Sequence, residues 1–156
     1  MLNLKNLLFA SIAALCFISF TGCGWIQDQI YKSAIQKAIH EDTLTGHAAT
    51  MDHVNAMRNV DLSDCPEDFR TAYSHHIHAW EEAAVVQQAK TKLDNEEDGA
   101  ALGGLLAAMF GSDDTPWADH QQAEQEVSQL SRKANGDIHS TWHEVEDAAR
   151  KYGVQM

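Results

Sequence analysis

The feature that most constrains the fold is an apolar series in the last third of the chain: Val127, Leu130, Ala134, Ile138, Trp142, Val145, Ala149 and Tyr152. The steps are of three and four residues. A helix with 3.6 residues per turn stacks all of these side chains along one stripe. A strand would scatter them over both faces. The phase carries through Asn135-Gly136, so the pattern predicts one long helix to about residue 151, with a bend allowed at the glycine. A seam of this length needs a second long helix lying antiparallel against it.

Residues 66–93 supply that partner. Phe69, Tyr73, His76, Trp80, Ala84 and Gln87 recur at steps of three and four and define one buried face. The start of this helix is signposted: Asp64 is placed to cap it, Pro66 suits the first turn, and Glu67 faces the helix dipole. Residues 94–115 form the hairpin loop. They open on an acidic turn, DNEED, and continue as a small, apolar, glycine-rich stretch, GAALGGLLAAMFG. Gly99 and Gly103 make one GxxxG, but thirteen residues are too few to span a bilayer. The stretch is expected to fold onto the end of the bundle, with contact to a partner or a membrane as the rival reading. Thr115 and Pro116 are the start signal for the last helix.

Upstream, residues 25–40 carry Ile26, Ile30, Ala34 and Ala38 at helical spacing, flanked by Tyr31, Ile35 and Ile39. Trp25 and Ile26 suit either a bilayer surface or the core. A break is expected across Thr43-Leu44-Thr45-Gly46. A second helical pattern follows through Leu44, Ala48, Met51, Asn55 and Arg58, and Asp61-Leu62-Ser63-Asp64 is a turn. No stretch alternates as a strand does, and only two prolines interrupt the chain. The fold class is therefore all-α: an antiparallel helical bundle of three to four helices built on a long helical hairpin.

The N-terminus follows a different rule. Residues 7–20, LLFASIAALCFISF, are apolar or small throughout. As a helix these fourteen residues reach about 21 Å, short of a bilayer core of about 30 Å, and this fits the apolar region of a signal peptide. Phe20-Thr21-Gly22-Cys23 resembles the lipobox of bacterial lipoprotein precursors, with Phe20 where that family most often has Leu. The resemblance covers only the first 24 residues. It implies that residues 1–22 are removed, that the Cys23 thiol takes a diacylglycerol, and that its new amine is acylated. Residues 23–156 would then be the mature helical domain. Two or three acyl chains hold a protein at a membrane essentially permanently. In the family, Asp after the cysteine favours the inner membrane. Gly24 stands there in this chain, so the resemblance implies the periplasmic leaflet of the outer membrane.

Charge and cysteine count narrow the possible functions. The chain carries 23 acidic and 11 basic residues, a formal charge of −12. None of the acids and one of the bases, Lys5, lie in residues 1–22, so the mature body is more acidic still. That balance argues against nucleic acid and against electrostatic docking on anionic lipid. Of three cysteines, Cys16 would be discarded and Cys23 lipidated. Cys65 is left alone, with no internal disulfide available to it and free to pair only between chains or with a small thiol. At a helix N-terminus its thiol would be acidified. A simple antiparallel register brings it level with His143, but nothing supplies an oxyanion hole, so no catalytic residue is assigned.

Nine histidines are the main hint of chemistry. His139 and His143 form HxxxH, which places two rings on one helical face where a divalent transition metal can bridge them. The helical wheel turns that face to solvent. HExxH and Glu-x-x-His are both absent, which excludes zincin and di-iron patterns. Tyr73-Ser74-His75-His76-Ile77-His78 resembles a cluster in composition, but on a helix its rings diverge and His76 alone joins the apolar stripe. His47 flanks the stripe of the preceding helix at the level of His76. The two are expected to meet as a hydrogen-bonded core contact with Tyr73, or as a pH-sensitive or metal-binding layer. Met51 and Met57 leave a non-covalent haem open, although methionine at helical spacing usually fills a core. The expected function is a lipid-anchored, periplasm-facing helical lipoprotein with a structural or protein-interaction role, engaging a protein partner or a second copy. The alternative is a periplasmic metal- or haem-binding protein.

Overall fold

A computed structural model describes residues 4–46, 49–94 and 120–156, with side chains from residue 24 to residue 94 and from residue 123 onward. The described residues are helical and contain no strand: α1 (Leu4–Leu44), α2 (Met51–Arg58), α3 (Glu67–Asp94) and α4 (His120–Lys151). The hairpin tip, the proposed Thr115-Pro116 helix start and His47 lie outside the described residues. The break expected after residue 42 is real. Gly46 has φ of +87°, a left-handed conformation that glycine adopts without a Cβ clash.

The antiparallel hairpin is α3 against α4. Its register is fixed by four cross-helix pairs. Asp68 meets Lys151 at 3.0 Å, His75 meets Glu144 at 3.0 Å, His76 meets Thr141 at 3.0 Å, and Glu82 meets Lys133 at 3.5 Å. This register differs from one centred on the middle of residues 94–115, and Cys65 comes level with the end of α4 rather than with His143. Packing explains the difference. Val86, Ala89 and Leu93 need Ala123 and Val127 opposite them to close the upper half of the hairpin. The Pro66 carbonyl accepts the first helical bond of α3, from the Arg70 N–H at 3.0 Å, so α3 starts two residues beyond the expected cap at Asp64.

Two apolar clusters form along the hairpin. The lower one brings α1 onto the pair: Ile35 and Ala38 meet Phe69, Tyr73, Val145, Ala148 and Ala149. Phe69, Tyr73 and Ile35 are fully buried, and each such side chain contributes about 2–3 kcal/mol. Tyr31 packs edge-on against Tyr152 at 5.5 Å, so α1 runs alongside α3 and opposite to α4. The chain then folds back. Val154 N–H bonds to the Ala149 carbonyl at 3.2 Å and Gly153 N–H to that of Arg150 at 3.0 Å, with Gly153 at φ +73°. This Schellman closure drops Val154 into the core. Among the described residues the upper cluster belongs to α3 and α4 alone, because α1 ends at Leu44. Gln87, expected on the buried face, is exposed there, since the stripe passes to Val86 and Ala89.

α4 stays continuous through Asn135-Gly136, and Gly136 has open space where a Cβ would point. α2 is a short returning helix. Thr50 caps it by accepting from the His53 N–H at 3.3 Å, and its buried side chains are His53, Val54 and Met57. Arg58 pairs with Glu81 of α3.

Candidate functional site

Between the two clusters, where α1 ends, lies a layer that is polar and aromatic rather than aliphatic. Three polar residues are buried in it: Asp42 from α1, His53 from α2 and His76 from α3. Asp42 continues the Ile35–Ala38 stripe of α1 by one more turn, so its carboxylate points inward. There it accepts a hydrogen bond from the Tyr73 hydroxyl at 2.6 Å. Burial first, and then this bond, raise the Tyr73 pKa well above the ordinary phenol range. Among the described residues, no lysine or arginine forms an ion pair with Asp42.

His76 is held at both nitrogens. The Trp80 indole can only donate, and it donates to Nε2 at 3.1 Å. The ring proton of neutral His76 is therefore on Nδ1 and donates to Thr141 Oγ1 at 3.0 Å. Thr141 in turn donates to a carbonyl of its own helix, that of Asp137, at 2.8 Å. Burial pushes the His76 pKa down to about 4, against a smaller upward pull from Asp42. Tyr73, expected as a partner of this histidine, is turned to Asp42 instead.

His53 stands at this layer beside Trp80. Thr45 Oγ1 donates its one proton to the Asp42 carbonyl at 2.7 Å. The same oxygen lies 3.1 Å from His53 Nδ1 and accepts that nitrogen's proton. In the neutral ring Nε2 is then a bare lone pair. It is buried and has no hydrogen-bond partner among the described residues. The His53 ring stands edge-on to Trp80 at 4.5 Å.

These groups border a half-open cavity of about 410 Å³, with Trp80, Trp142 and Ile138 as apolar wall and Thr43, Asn135 and His139 completing the lining. The size falls within the usual range of small-molecule sites.

The other candidates are arranged differently. His139 and His143 bring their rings to 4.4 Å on an exposed face, and His143 Nδ1 lies 2.9 Å from Glu146. Among the described residues, no three His, Cys, Asp or Glu side chains gather as metal ligands. His75 and His78 diverge from His76; His75 pairs with the exposed Glu144 and His78 with the half-buried Glu81. Met57 is packed in the lower cluster. Cys65 is a buried free thiol, and the acidification expected at a helix N-terminus does not occur. Burial, with Asp61 and Asp64 adding to it, pushes its pKa up to about 11. The Cys23 side chain lies outside the described residues, although its backbone is part of α1.

Two members of the buried layer were not singled out from sequence, Asp42 and His53. The signal for Asp42 was present: it falls in phase with Ile35 and Ala38. His53 depends on where α2 begins, and the Thr50 cap decides that. The chain matches no known family model, no curated protein and no solved structure.

Proposed function

We propose that this chain is a lipid-anchored helical lipoprotein of the bacterial envelope, held through Cys23 and facing the periplasm, with a structural or protein-interaction role. The observation that carries the reading is the condition of residues 24–30. All seven are exposed, and Trp25, Ile26 and Ile30 are 68%, 56% and 47% accessible. Core packing therefore does not account for Trp25 and Ile26. An apolar neck directly after a lipidated cysteine suits the headgroup region of a bilayer, where tryptophan is favoured. Beyond that neck, α1 leads straight into the bundle without a linker. Gly24 in place of Asp supports the outer membrane.

The test is metabolic labelling with a fatty-acid analogue, followed by membrane fractionation. Wild type takes up label and sediments with the outer membrane, and Cys23→Ser does neither. A wild type without label, or a Cys23→Ser variant that is still labelled, overturns the reading. A second reading, capture of a divalent transition metal, is favoured by the 4.4 Å approach of the His139 and His143 rings. A stoichiometric metal in native protein that disappears in His139→Gln would support it.

A further inference from the structure

We propose that the cavity between α1, α2, α3 and α4 binds a small organic amine in its protonated form, with the ammonium group toward Asp42 and His53 and the apolar body against Trp80 and Trp142. Asp42 is 6% exposed, and among the described residues its carboxylate is matched by one neutral donor, the Tyr73 hydroxyl at 2.6 Å. A buried carboxylate without a cation is costly, and a cationic ligand offsets that cost. His53 is 5% exposed and lines the cavity, and its buried Nε2 has no partner among the described residues. A lone pair calls for an N–H or O–H donor. One ligand group satisfies both demands, an ammonium that still carries protons.

The walls fit the rest of such a molecule. Indole faces attract cations and also bury apolar stems. His76 is saturated by Trp80 and Thr141, so it contributes shape rather than a free polar atom. The formal charge of −12 raises the local concentration of cations around the body. Asp42 lies nineteen residues along α1 from Cys23, about 29 Å at 1.5 Å per residue. A lipid headgroup beside the anchor cannot reach that far, so the ligand comes from solution. The proposal does not depend on lipidation.

The experiment titrates full-length protein in detergent with 2-phenylethylamine by calorimetry. The comparison ligands are 2-phenylethanol, phenylacetate and the N,N,N-trimethyl ammonium analogue. The amine binds with a stoichiometry of one, at least about tenfold more tightly than the alcohol, and the carboxylate does not bind. The trimethyl analogue keeps the charge but has no proton for His53, and it binds several-fold more weakly than the primary amine. Asp42→Asn, which still accepts from Tyr73, loses most of the preference for amine over alcohol. The ligand series on wild type decides the matter even if that variant fails to fold. Equal affinity for amine, alcohol and acid overturns the proposal, as does absence of amine binding. A third overturning result is binding of an N-acetylated lysine peptide without binding of the free amine, which would make the cavity a protein-docking site.

Discussion

Acid should loosen this protein in a window that belongs to His76. The folded state holds the ring neutral, with a pKa near 4, against an ordinary value of 6.5 in the unfolded chain. Protonation in place would put a proton on Nε2, which already accepts from Trp80, and would bury a charge 4% exposed to solvent. The unfolded chain therefore binds a proton that the folded chain refuses. Stability conferred by the neutral ring is complete above about pH 6.5 and drains away as pH falls toward about 4. At 1.36 kcal/mol per unit the difference amounts to about 3 kcal/mol, a large share of the stability of a small domain. The other resolved downward carboxyl shifts act lower on the scale. Asp61, held down to about 2 chiefly by its bonds from Ser63 and then by Lys37, titrates below the window. Urea denaturation followed by far-UV circular dichroism, at intervals between about pH 7 and about pH 4, measures the effect. His76→Leu provides the control. At neutral pH it costs about 1–3 kcal/mol, because the Trp80 indole N–H loses its acceptor. It also removes the titrating group, so its stability changes far less across the same interval and the two curves converge near pH 4. A wild type equally stable at both ends of the interval would refute this reasoning. So would a slope that survives unchanged in His76→Leu.

Tyr73→Phe deprives the buried Asp42 carboxylate of its described donor and should cost about 2–3 kcal/mol in the same urea assay; an effect below about 0.5 kcal/mol would mean that Asp42 finds water or another partner. Cys65 should be nearly inert to a disulfide reagent in the folded protein at neutral pH and react fully on unfolding; labelling at the rate of a small free thiol would contradict its burial. Phe69→Ala, emptying the centre of the lower cluster, should cost about 3–5 kcal/mol by urea titration, whereas Gln87→Ala at an exposed position should change little, and similar costs for the two would contradict the observed phase of α3.

The apolar series from Val127 to Tyr152 made the long helix and its antiparallel partner legible, because a stripe that long has one geometric solution. Register was not legible in the same way. It depends on how Val86, Ala89 and Leu93 meet Ala123 and Val127 across the hairpin, and the small residues between make several offsets look alike. The offset mattered for Cys65, since it moved the thiol away from His143 and into the core. His76 was recognisable because an imidazole in phase with Phe69 and Tyr73 has to be buried. Its partners were not, because they depend on Thr141 and Trp80 rotamers that no spacing rule specifies.

Asp42 shows why the buried layer escapes a reading by composition. Among 23 acidic residues one carboxylate carries no distinguishing mark, and hydrophobic patterning counts it as the polar end of a helix. Its phase says otherwise, and so does its cost. A buried carboxyl group with a single neutral donor among the described residues is costly unless something uses it. The adjoining groups share that character. His53 has an Nε2 without a partner among the described residues, and Trp80 and Trp142, which also pack on the lower cluster, wall a cavity where aliphatic side chains could have closed the end of α1. A bundle selected only for stability would close this level with leucine and valine, as it does directly above. That these features are concentrated at one level, where α1 ends, is what the proposed amine site requires of the bundle.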